Sequence, residues 1–116
     1  MTTTTELVQR HIQSFNARDL EGILSDYAPG AVFFTPAGTL RGREAIRGFF
    51  SVLLAEFSKP GAVFTLGQQH VEGDHAYILW TALTADNLYE LGTDTFFVRD
   101  GEIAVQSFAG KVTARN

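Results

Sequence analysis

The sequence predicts an α+β domain in which helices come first and a β meander follows. As far as Phe57, apolar residues recur at spacings of three and four, the period of a helix buried on one side. Beyond Lys59-Pro60-Gly61, apolar and β-branched residues fall into segments parted by short turn motifs. Those gaps are too short for the crossovers, about a dozen residues long, that a parallel sheet requires. Helices should therefore cover one face of an antiparallel sheet.

Leu7, Val8, His11, Ile12 and Phe15 form the first stripe and predict a helix over about residues 5–17. The threonines before it, within residues 1–5, are expected to fray. Asn16-Ala17-Arg18 ends that helix, and Asp19 suits the N-cap of a second one. Its stripe is Leu20, Ile23, Leu24 and Tyr27, stopped by Ala28-Pro29-Gly30. Val32-Phe33-Phe34-Thr35 is a short β segment that turns through Pro36-Ala37-Gly38. Gly42-Arg43-Glu44 opens the third helix, with Ile46, Phe49, Phe50, Leu53 and Phe57 on one face. Strands follow at about 62–71, 76–85, 88–99 and 102–112, joined at Glu72-Gly73-Asp74, Asp86-Asn87 and Asp100-Gly101.

The 116 residues fit one domain of the usual size, about 100–150 residues. With 9 basic against 13 acidic residues, the net charge of −4 argues against a nucleic-acid surface. Having no cysteine, the chain has no disulfide and poor prospects for a zinc or iron–sulfur site. No apolar run reaches the roughly 18 residues of a membrane span, and the N-terminus lacks the basic and apolar regions of a secretory signal. A soluble, cytoplasmic protein is the expectation. Ten Phe, three Tyr and one Trp suit a Phe-rich core, and equally a pocket for a flat or apolar ligand.

If Asp86-Asn87 is a two-residue turn, Leu79 lies opposite Asp94. Tyr77, Leu79, Thr81 and Leu83 then share the inner face with Asp94 and Phe96. Trp80, Tyr89 and Phe97 fall on the outer face, where a second copy of the chain would cover them. Asp94 stands in mid-strand, where Asp has poor β propensity. Turned inward among Phe side chains it would lose water, and its carboxyl would favour the neutral acid able to serve an oxyanion or move a proton. Turned outward, or held by a neighbouring Thr, it would be unremarkable. His11 lies on the buried stripe of the first helix, as an acid–base group or as a satisfied core histidine. Apolar surroundings would make His11→Phe tolerable. Neither a histidine pair at metal-binding spacing, nor a Gly-x-Ser-x-Gly motif, nor a P-loop is present.

Val8-Gln9-Arg10-His11 with Phe15-Asn16-Ala17-Arg18-Asp19-Leu20-Glu21-Gly22-Ile23 resembles the opening of NTF2-like proteins. So does Gly38-Thr39-Leu40-Arg41-Gly42-Arg43-Glu44-Ala45-Ile46 leading into Phe49-Phe50, and the stretch from Asp94-Thr95-Phe96-Phe97-Val98 to Ile103. The resemblance spans about residues 6–110 and points to the SnoaL-like and ketosteroid-isomerase-like branch. It implies a single cone-shaped domain over residues 1–116, three helices on a strongly curved antiparallel sheet, one pocket, and a homodimer. In ketosteroid isomerase an aspartic acid kept neutral by an apolar site helps form the oxyanion hole, and the resemblance places Asp94 there. His11 matches that site's tyrosine, and Thr35 stands where the isomerase carries its catalytic base. Phe49 and Phe50 match an aromatic pair; Gln106 and Phe108 match pocket-facing positions.

The expected site therefore has Asp94 and His11 as its acid–base pair, interacting and sharing one proton. Phe15, Tyr27, Thr35, Phe49, Phe50, Leu79, Phe96, Gln106 and Phe108 would contact a small apolar carbonyl or hydroxyl compound. The implied activity is a cofactor-independent isomerase or cyclase. The alternative is a non-catalytic ligand-binding or dimerisation domain, favoured by the lack of a carboxylate at Thr35. Epoxide hydrolysis would need two carboxylates and an Arg around a water, and only Asp94 can be placed inside.

Overall fold

Residues 2–115 are described by a computed structural model. Helix α1 (Thr4–Asn16) begins where fraying was expected. Thr3 accepts from the Glu6 amide, and the Glu6 carboxylate accepts in return from the Thr3 amide, so two otherwise unmet N–H groups are satisfied. The threonine run thus starts a helix, and of residues 1–5 only Met1 lies outside the described part. Asp19 caps α2 (Leu20–Ser25) by accepting from the Gly22 amide at 3.0 Å.

The second helix stops earlier than its stripe predicts. Tyr27 belongs to strand β1 (Tyr27–Thr35), which turns into β2 (Gly38–Arg41), a strand too short to stand out in the sequence. Helix α3 (Gly42–Phe57) follows at once, and Gly42 adopts φ +83°, a left-handed bend that favours glycine between strand and helix. Strands β3 (Val63–Glu72), β4 (His75–Leu83), β5 (Asn87–Arg99) and β6 (Glu102–Ala114) form the expected meander. Asp100 and Gly101 both take positive φ, as a two-residue turn between Arg99 and Glu102 demands.

Among the described residues, the six strands join one open sheet in the order β2-β1-β6-β5-β4-β3. The sheet is mixed, not purely antiparallel, because β1 runs parallel to β6. Short gaps between consecutive strands forbid parallel pairing of neighbours in sequence, but not of strands far apart in it. The whole meander, together with α3, serves as the long connection between β1 and β6. Register shifts interrupt the ladders at Leu66/Gln68, Trp80/Ala82, Tyr89/Leu91 and Phe97/Val98. Such bulges bend strands and let the sheet wrap around what it covers.

The β4–β5 register decides which side chains face inward. The connection is a longer turn built on Thr84, whose hydroxyl accepts from the amides of Asp86 and Asn87. Ile78, not Leu79, lies opposite Asp94, and Trp80 lies opposite Gly92. A one-residue slip exchanges the faces of a strand. Trp80 is consequently buried inside with Asp94 and Phe96, whereas Leu79 points outward with Tyr77 and Phe97; Tyr89 joins the inner face through the irregularity of β5 between Tyr89 and Leu91. The expected outer face bearing Trp80 and Tyr89 is overturned. Leu7, Val8, Ile23, Ile46, Phe33, Phe96 and Ile103 fill the core between the helices and the inner face. No helix of the described residues is long and apolar enough to cross a membrane.

Candidate functional site

Between the helices and the inner face lies a cavity of about 270 Å³. Helix α1 contributes His11, Ile12 and Phe15; α3 contributes Phe49, Phe50, Leu53 and Phe57. The sheet supplies Phe33, Phe64, Ile78, Trp80, Tyr89, Asp94, Phe96, Gln106, Phe108 and Val112. Edge-to-face contacts, such as Phe33 with Phe49 at 5.1 Å and Phe15 with Phe57 at 5.0 Å, hold the apolar wall together. Asp94 is the one carboxylate in this lining.

Asp94 faces inward because it shares its side of β5 with Phe96 and Gly92. The Trp80 indole N–H donates to its Oδ2 at 2.8 Å, and the Gln106 amide nitrogen donates to its Oδ1 at 2.9 Å. Gly92 makes this possible: a Cβ there would stand 2.4 Å from the Trp80 ring. Burial pushes the Asp94 carboxyl above its ordinary value, while the bonds from Trp80 and Gln106, and the nearby His11, pull it part of the way back. A raised carboxyl in an apolar cavity can exchange a proton with a bound oxygen or carbon.

His11 does not touch Asp94. Its Nδ1 bonds Asp26 Oδ2 at 3.0 Å, and its Nε2 lies 3.2 Å from the Tyr27 hydroxyl. The Tyr27 hydroxyl donates to Gln106 Oε1, and Gln106 continues to Asp94. At the other end Asp26, fully buried, is held by Arg10 Nε at 2.9 Å. A line of contacts thus runs from Arg10 through Asp26, His11, Tyr27 and Gln106 to Asp94 and Trp80. Burial, then the carboxylates of Asp94 and Asp26, hold the Tyr27 phenol well above its usual range, so it keeps its proton.

Phe15, Phe49, Phe50, Phe96, Gln106 and Phe108 line the cavity; Tyr27, Thr35 and Leu79 do not. Tyr27 is fully buried behind the wall and reaches the site only through its hydroxyl. Thr35 closes the β1–β2 turn, donating to Gly38 O at 2.9 Å and accepting from the Ala37 amide. Leu79 is on the outer face through the register slip. Sequence reasoning missed Asp26 and Trp80. A correct β4–β5 register would have revealed Trp80. For Asp26 the one signal is a carboxylate beside Tyr27, within what reads as an apolar stripe.

An open, curved α+β sheet, helices over its inner face and one aromatic cavity between them define the NTF2-like class. The sequence pattern of the SnoaL-like domain matches residues 8–106, and the chain belongs to that family. No curated protein matches the sequence. Among solved structures, an NTF2-like protein of unknown function from Mesorhizobium loti is similar at 26% identity and TM-score 0.77, covering 93% of this chain and 90% of that one. A candidate polyketide cyclase from Sinorhizobium meliloti superimposes at TM-score 0.76 and 19% identity, over 90% of this chain and 94% of that one. A candidate ketosteroid isomerase from Kribbella flavida does so at 0.78 and 17%, over 97% and 81%. The latter two likenesses concern the fold.

Proposed function

We propose that the cavity binds a small, mostly apolar carbonyl or hydroxyl compound with its oxygen against Asp94, and that Asp94 exchanges a proton with it, in a cofactor-independent isomerisation or cyclisation. One observation carries this reading: a single buried carboxyl, raised by burial, stands in a wall made mostly of aromatic and aliphatic side chains, with His11 and Gln106 as its other polar members. Aromatic walls bind by apolar area, and one convergent polar group fixes orientation. A neutral Asp94 donates to a carbonyl oxygen, and its carboxylate takes a proton from an adjacent carbon or hydroxyl. Trp80 and Gln106 keep the carboxylate satisfied when its proton is away. The candidate cyclase and isomerase of the same fold agree with this chemistry.

Exchange of the acidic protons of 2-tetralone in deuterated water tests it. The protein should accelerate the exchange, and Asp94→Asn should lower the rate by about 10²–10⁴-fold, the usual worth of a positioned acid–base group. Tight binding without any acceleration would favour the second reading, a ligand binder. That reading draws on Thr35, which sits in a turn and leaves Asp94 without a second carboxylate at the cavity.

The protein is further proposed to act as a soluble, cytoplasmic homodimer. The support for the dimer is the outer sheet face, where Tyr77, Leu79 and Phe97 are only partly covered and Leu91 is 43% exposed. Sedimentation at micromolar concentration should give the mass of two chains, and a clean monomer would contradict the dimer.

A further inference from the structure

We propose that Tyr27 and Gln106 are positioning residues that make His11 and Asp94 share one proton, although the two groups do not touch. The inference deepens the assignment of Asp94 as the proton-exchanging group and rests on that assignment for its importance to function. It follows from counting donors along the contacts Asp26–His11–Tyr27–Gln106–Asp94. Each of the three links from His11 to Asp94 holds one hydrogen between two heavy atoms, and these three hydrogens must point the same way.

In the arrangement observed, Gln106 donates to Asp94 and accepts from the Tyr27 hydroxyl. Tyr27 has spent its only hydrogen, so the remaining link is satisfied when His11 Nε2 carries a hydrogen and donates to the phenol oxygen. Nδ1 faces the Asp26 carboxylate and carries one too. His11 is then an imidazolium between Asp26 and Tyr27, and Asp94 is a carboxylate. The reverse arrangement places the proton on Asp94. Its O–H donates to Gln106 Oε1, the turned amide donates to Tyr27, and Tyr27 donates to an unprotonated His11 Nε2. Between the two, His11 gives its Nε2 proton to solvent and Asp94 takes one from solvent, while the Tyr27 hydroxyl rotates and the Gln106 amide turns over; the amide relays no proton itself but decides which end may hold one. With neither group protonated, two acceptors face one another at one link. With both protonated, the Asp94 hydrogen points into an aromatic cavity that offers it no acceptor until an oxygen-bearing ligand arrives.

The groups facing the His11 ring are few. Helix α1 brings Arg10 only as far as the opposite oxygen of Asp26. Strand β1 brings Tyr27, while α3 and β5 present Phe50 and Phe96, neither of which titrates. Around Asp94 stand Trp80 and Gln106, both donors. The same burial that raises the Asp94 carboxyl gives a shared proton a reason to reside there. A ligand carbonyl at Asp94 would therefore be sensed at His11.

Titration of the ligand-free protein by NMR, with carboxyl ¹³C and imidazole ¹⁵N labels, tests this without any turnover. In the wild type, His11 and Asp94 should each report both of two shared steps, separated by more than about one pH unit. Tyr27→Phe keeps both charges and cuts the link, so each group should then show a single step. Gln106→Met should do the same, and it serves if the Tyr27 variant is too unstable to titrate. Two-step curves that survive both substitutions would mean coupling through space alone, and single independent steps in the wild type would mean none; either overturns the proposal. Failure here would leave the acid–base assignment of Asp94 standing, and a lack of tetralone exchange would leave the shared proton standing.

Discussion

At the scale of single residues, Asp94 is a carboxyl that the fold places at a cost to itself. Its pKa is raised above the ordinary 3.8, so the native state keeps a proton that the unfolded chain has already lost. The stability linked to Asp94 is therefore fully present below the unfolded value and is lost as pH rises through the folded one. Asp94→Asn removes that dependence. The melting temperature of the variant relative to wild type should rise from acid towards neutral pH and then level off. A difference that stays constant with pH would mean Asp94 is not perturbed. Gly92 is the second sensitive position, because the indole of Trp80 occupies the space a Cβ would need. Gly92→Ala should cost about 1–3 kcal/mol through overpacking and pull the indole from Asp94. Trp80 is the only tryptophan, so intrinsic fluorescence reads the displacement directly. An unchanged emission spectrum would contradict it. His11→Phe, tolerable by the sequence pattern alone, is not so by structure, because it strips Asp26 Oδ2 of its imidazole partner inside a fully buried carboxylate. A loss of about 1–3 kcal/mol in denaturant unfolding is expected.

At the scale of elements, the cavity depends on how α3 is fastened to the β4–β5 turn. Glu56 near the end of α3 accepts from the Thr84 hydroxyl at 2.6 Å, the Asn87 side-chain Nδ2 at 3.0 Å and the Tyr89 hydroxyl at 2.9 Å. Burial, and then the bond to Glu56, push the Tyr89 phenol upward, so it remains a donor. Glu56→Ala should cost about 1–3 kcal/mol in urea unfolding, because the Thr84 hydroxyl keeps only its longer contact to Asn87 O and the Tyr89 hydroxyl loses its acceptor, and a change within error would show the clamp to be dispensable. The turn was also where sequence reasoning lost the site. Asp86-Asn87 looks like a two-residue hairpin, and only the Thr84 hydroxyl, satisfying two amides, shows that the turn begins earlier. One residue of slip moved Leu79 out and Trp80 in. The helix stripes and the Asp100-Gly101 turn were legible because their chemistry is local: periodicity, caps and positive φ. The β1–β6 pairing was not, because nothing within either strand names so distant a partner.

For the whole molecule, the open sheet and three helices make a vessel with aromatic walls and a single acidic group. The resemblance of residues 8–106 to the SnoaL-like domain conveys the vessel, while its contents follow from Asp94, Trp80 and Gln106. The most direct measurement is a comparison of two ligands that share a bicyclic aromatic body, 2-naphthol and naphthalene, titrated against Trp80 fluorescence. If the cavity binds oxygen at Asp94, the wild type should prefer 2-naphthol by about tenfold, the worth of a hydrogen bond to a charged or buried group. That preference should shrink severalfold in Asp94→Asn, while the affinity for naphthalene stays the same. Equal affinities in the wild type, or a preference indifferent to Asp94, would contradict it.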